Sequence, residues 1–105
     1  MEPRAEPLDP ALASELGESF RLLGDPTRVR ILDLLSREPL CVGEIAERLG
    51  MTASAVSHQL RLLRSRYLVR RARQGKCVIY ALDDDHVRTL FRDALEHVQE
   101  RYRDP

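Results

Sequence analysis

The chain has 105 residues, 43% of them hydrophobic, with acidic and basic side chains in equal number. That is enough for one compact domain and too little for two. No long apolar run and no charged-then-apolar start is present, so neither a membrane span nor a secretory leader is expected, and a cytoplasmic location follows by default.

In chain order, residues 1–10 carry Pro3, Pro7 and Pro10 and read as a loose arm. The domain then runs over 11–105. A first helix is expected from Ala11 to Leu23, with Leu12, Leu16, Phe20 and Leu23 on one side and Gly24 as its stop. Asp25 caps a second helix with Pro26 at its first position, and Val29, Ile31, Leu32, Leu34 and Leu35 make it a central core helix. Pro39 ends that region. A short helix spans Val42 to Leu49, with Ile45, Ala46 and Leu49 inward, and Gly50 closes it. Thr52 or Ser54 caps the next helix, whose inner face is Val56, Leu60, Leu63 and Tyr67. "LVRRARQGKCVIYAL" then changes period: β-branched and aromatic residues on both sides of a Gln74–Gly75 turn read as a hairpin. Three Asp residues cap a last helix at about 84–102. The fold class is mostly α with a β-hairpin wing, a winged helix-turn-helix.

Charge is uneven along this frame. Between Thr52 and Lys76 seven residues are basic and none is acidic, while both ends of the chain are acidic. Such a block suggests a surface that meets a polyanion. A helix fits the major groove of B-form DNA, and hydroxyls near its start allow close approach. The expected contact set is therefore Thr52, Ser54, Ser57, His58 and Gln59 on the reading helix, with Arg61 and Arg64 further along. Arg71, Arg73 and Lys76 on the wing would grip backbone or minor groove. Double-stranded DNA is the expected partner. No nucleophile–base pair or glycine-rich phosphate loop points to an enzyme.

With these elements in place, "LGDPTRVRILDLL", "LCVGEIAERLG", "SAVSHQLRLLR" and "GKCVIYAL", in this order, resemble the ArsR/SmtB family of metal-sensing winged-helix repressors. The resemblance implies a homodimer with double-stranded operator DNA as its partner, which represses a promoter in the apo form and leaves DNA on binding a metal or another inducer.

The last helix holds the residues that bear on the inducer. Asp84, His86, His97 and Glu100 are groups that metals favour. His86 and His97 are eleven residues apart, close to three turns, so they point the same way but lie about 16 Å apart along the axis. Zinc needs each ligand atom at about 2 Å, so one helix cannot bring both imidazoles to one ion. Two copies running antiparallel across a two-fold axis can, each end offering two nitrogens and two oxygens. Tetrahedral N₂O₂ coordination suits Zn²⁺, accepts Co²⁺, and suits Cu(I) poorly. Val87, Phe91, Ala94, Leu95 and Val98 supply an apolar stripe to pack the two helices. The family's terminal-helix zinc site follows Asp-x-His, ten residues, His-x-x-Glu/His, which Asp84, His86, His97 and Glu100 match; Asp83 or Asp85 replaces Asp84 if the helix starts elsewhere. The family's second kind of site is built on Cys-Val-Cys, where this chain has "CVG", so Cys41 reads as a buried structural thiol and Cys77 as wing packing. A repressor of the same fold sensing a non-metal or thiol redox signal is the alternative.

Overall fold

The computed structural model describes residues 4–103. Its elements are α1 (Pro10–Leu23), α2 (Pro26–Arg37), β1 (Leu40–Cys41), α3 (Val42–Leu49), α4 (Ala53–Ser65), β2 (Val69–Gln74), β3 (Cys77–Leu82) and α5 (Asp85–Arg103). Residues 4–9 of the expected arm lie outside helix and strand, and residues 1–3 lie outside the described residues. Pro10, assigned to the arm by sequence, opens α1 instead: Asp9 accepts from the Leu12 N–H at 3.3 Å, and proline fits the first helical position.

Local chemistry accounts for most boundaries. Asp25 accepts from the Arg28 N–H at 3.1 Å and starts α2. Glu44 accepts from the Cys41 N–H at 3.0 Å at the entry of α3, and Gly50 leaves that helix at φ 66°. Thr52 caps α4 through the Ala55 N–H, also at 3.0 Å. Arg37 ends α2 two residues before Pro39, as the restriction on the residue before proline requires.

Three details depart from the sequence reading. Leu40 and Cys41 form a short strand that pairs with β3, giving a three-stranded sheet of order β1-β3-β2. Two residues give periodicity nothing to register. The hairpin turn lies at Gly75–Lys76, because Gln74 pairs with Cys77 and Gly75 takes φ 64°. Tyr67, expected on the inner face of α4, is 78% exposed and sits at φ 58° just past the helix. It occupies the left-handed position after a helix end that glycine usually fills.

The core joins Ile31, Leu32 and Leu35 of α2 to Leu40, Ile45, Val56, Leu60, Leu63, Val69 and Leu82. The two outer helices contribute little to it. Only Leu22 of α1 is buried, and no side chain of α5 is. Leu12, Leu16 and Phe20, read from the sequence as sharing one side of α1, are about half exposed, as are Leu95 and Val98. Val29, expected in the core, is exposed as well. Phe20, Val29, Leu95 and Val98 instead border an open apolar groove of about 310 Å³ between α1, α2 and α5, lined also by Leu23 and Phe91.

Candidate nucleic-acid interface and metal centre

Side chains three and four apart on a helix share a face. On α4 this groups Ser54, Ser57, His58, Arg61 and Arg64, opposite the buried Val56, Leu60 and Leu63. Ser54, His58 and Arg61 are exposed, while Ser57 and Arg64 are half-buried. Thr52 stands at the helix entry with its oxygen committed to the Ala55 N–H and its proton free to donate. On the wing, Arg71 and Arg73 alternate onto one face of β2, opposite Tyr80 and Val78, and Lys76 sits in the turn. Among the described residues none of Arg61, Arg64, Arg71, Arg73 or Lys76 is in an ion pair. This leaves five uncompensated cations on the helix and the hairpin that follows it.

The remaining members of the basic block are engaged within the chain. Arg70 donates to the Asp83 carbonyl at 3.1 Å. Arg66 pairs with Glu15 at 2.7 Å and donates to the Glu15 carbonyl at 2.6 Å. Gln59 is half-buried, and its side-chain oxygen accepts from Arg28 at 3.0 Å, so it faces α2 as much as the reading surface. Sequence reasoning missed Arg28, which has no periodic partner in α2; its role depends on a contact 31 positions away.

The four candidate metal ligands divide between the two ends of α5. Asp84 caps the helix, Oδ1 accepting from the Val87 N–H at 3.0 Å, and its Oδ2 lies 3.6 Å from His86 Nδ1. The Val87 N–H, followed by the hydrogen bond and charge of His86, holds the Asp84 carboxyl below the usual carboxylate range. The His86 side chain is 98% exposed. His97 and Glu100 stand one turn apart and exposed toward the other end. Within one chain, and among the described residues, no three His, Cys, Asp or Glu side chains gather tightly enough to hold an ion. Of the alternative carboxylates, Asp85 pairs with Arg88 at 3.0 Å and Asp83 is half-buried beside β2. Both cysteines are free; Cys41 is half-buried rather than buried, and Cys77 is exposed rather than packed. The reason is register: Cys41 pairs with Ile79 on the outer face of the sheet, away from the Leu40–Tyr80 pair that enters the core.

No helix in the described residues is long and apolar enough to cross a membrane. Residues 25–71, covering α2 through the start of the wing, match the family of bacterial regulatory proteins described as the arsR family. The chain is 43% identical over 100 residues to a transcriptional repressor SmtB homolog of Synechocystis sp., covering 95% of this chain and 74% of that protein. It is 38% identical over 87 residues to a cadmium resistance transcriptional regulatory protein, CadC homolog, of Staphylococcus aureus, covering 82% of this chain and 72% of that one. Its backbone matches the solution structure of the homodimeric winged helix-turn-helix DNA-binding domain Mb0332 of Mycobacterium bovis with a TM-score of 0.79 at 30% identity, covering 92% of this chain and 95% of that one. The five-helix frame with its hairpin wing, the cationic face on α4 and these likenesses agree, and the chain belongs to the arsR family of winged helix-turn-helix transcriptional regulators.

Proposed function

We propose that the chain is a cytoplasmic, homodimeric repressor that holds an operator through α4 and the wing and releases it when a divalent metal, zinc first, is bound between the α5 helices of the dimer. One observation carries this reading. A single exposed helix carries Asp84 and His86 at its entry, His97 and Glu100 toward its far end, and on the same element Leu95 and Val98 left 39% and 47% exposed. A second copy placed antiparallel covers the stripe and brings the unlike ends together.

The donor set fits zinc: two imidazoles and two carboxylates, with no thiolate. Asp84 would act from its capping position beside His86, which supports it over Asp83 and Asp85 as the carboxylate ligand. When bound, the ion supplies a cross-link between the two terminal helices. The residues of α5 thereby favour one relative placement of the subunits. Where that placement suits the spacing of successive major grooves less well, metal lowers DNA affinity and DNA lowers metal affinity by the same factor. Moving such an equilibrium from 1:99 to 99:1 takes about 5.5 kcal/mol of differential binding, shared here by two equivalent sites.

Titration of the purified dimer with Co²⁺ tests the site directly. Tetrahedral absorption saturating at two ions per dimer is the expected result. Competition with operator DNA followed by fluorescence anisotropy tests the switch. Unchanged DNA affinity in saturating zinc refutes it, and a His97→Ala variant that still responds fully to zinc refutes the ligand set.

A further inference from the structure

The attachment of α1 to the rest of the chain is unusually polar. Of its fourteen residues only Leu22 is buried, so apolar packing alone leaves the angle of α1 weakly determined. Two arginines make up the difference. Arg28 on α2 donates from Nε to the Leu22 carbonyl at 2.6 Å and from Nη1 to Gln59 on α4 at 3.0 Å. Arg66, at the end of α4, reaches the middle of α1: its Nη2 lies 2.7 Å from the Glu15 carboxylate, 2.6 Å from the Glu15 carbonyl and 3.5 Å from Ser19 Oγ.

Arg66 is ill placed to clamp phosphate. Its side chain is only 27% exposed, and its Nε is buried without a hydrogen-bond partner. Leaving a guanidinium N–H unsatisfied is costly, and the geometry that requires it fixes position rather than maximising bonding. The position concerned is that of the reading helix relative to the helix bearing Leu12, Leu16 and Phe20. The thirteen residues of α4 span about 20 Å. A displacement of about 2 Å at the Arg66 end therefore tilts the helix by about 6°, at the end opposite the serines that enter the groove.

We infer that Arg66 is a positioning residue that couples the dimer-forming helix α1 to the reading helix α4 and so determines the half-site spacing the dimer accepts. This rests on the reading of α4 as the DNA-contacting helix and of α5 as the contact between copies, and it extends that contact to α1, whose Phe20 and Leu23 line the same apolar groove as the α5 stripe. Each base pair added between half-sites moves them by about 3.4 Å and turns them by about 35°, so a rigid link between dimer contact and reading helix makes spacing selective.

The test uses the full-length apo dimer and a two-fold symmetric duplex selected by the unaltered protein from a random pool. The centre of that duplex is lengthened or shortened by one or two base pairs, and affinities are read by fluorescence anisotropy. The unaltered protein is expected to lose affinity on the order of tenfold at the wrong spacings. In Arg66→Gln this discrimination falls below about threefold or its optimum moves, while affinity for a single half-site changes by less than about twofold. The double variant Glu15→Ala/Ser19→Ala, altered at one exposed and one half-buried helix position where alanine is well tolerated, guards against misfolding; partial flattening of the profile is expected from it. A uniform weakening of every duplex by Arg66→Gln, or a double variant with the original profile, overturns the inference. A pool that yields no two-fold duplex removes the dimeric repressor reading, and the coupling with it.

Discussion

Replacing Phe20 by Asp separates folding from assembly. Phe20 is 51% exposed in the single chain and borders the apolar groove between α1 and α5. An aromatic side chain presents about 200 Å², so roughly 100 Å² of Phe20 remains to be covered by a second copy. At about 25 cal/mol per Å² that is about 2.5 kcal/mol per copy, and two-fold symmetry doubles it to about 5 kcal/mol per dimer. The substitution therefore weakens dimerisation by roughly several thousand-fold. The fold should survive, because Phe20 lies outside the buried cluster of Ile31, Leu35, Leu60 and their neighbours. Sedimentation equilibrium measures the association constant and circular dichroism the helix content. A Phe20→Asp protein that dimerises as tightly as the original, or a monomer that has lost its helices, refutes this assignment of the face.

Other expectations follow from single residues. Tyr67→Gly relieves a left-handed backbone at a side chain that packs little, and should stabilise the domain by about 1 kcal/mol, raising Tm by several degrees; an unchanged or lower Tm in a calorimetric scan argues against strain there. Arg71→Ala with Arg73→Ala should weaken binding to all duplexes alike and reduce the slope of log affinity against log salt by about 2, and a sequence-selective loss contradicts their role as backbone contacts. The Cys41 N–H holds the Glu44 carboxyl below its ordinary value, so this cap contributes stability above the unfolded-state value and loses it as pH falls through the lower folded-state value. Urea unfolding of Glu44→Gln against the original protein should thus show a gap that is constant from about pH 6 upward and closes in the acid range. A gap that persists at pH 2 rules this cause out.

Along α2, α3 and α4 the chain was legible because each element carries its own punctuation: Asp25–Pro26, Gly50 and Thr52 act within four residues of where they stand. The family resemblance and the cationic face of α4 were readable for the same reason, since helical spacing alone groups Ser54, His58 and Arg61. Charge counting was less discriminating. It counted Arg66 and Arg70 in the basic block without separating them from the rest, although one holds α1 and the other a loop carbonyl.

What belongs to the sequence by itself is the order and type of the helices, the wing, and the reach limit that keeps His86 and His97 from sharing an ion within one helix. Only the tertiary structure decided that the apolar stripe of α1 is left half exposed, that Leu40 and Cys41 join the sheet, and that Gln59 and Arg66 serve contacts inside the chain. The physical reason is range. Caps, turns and periodicity act over a few residues, whereas Arg28 meets Gln59 across 31 positions and Arg66 meets Glu15 across 51. An amphipathic pattern reports that a face seeks cover, and a neighbour in three dimensions determines whether that cover comes from the same chain.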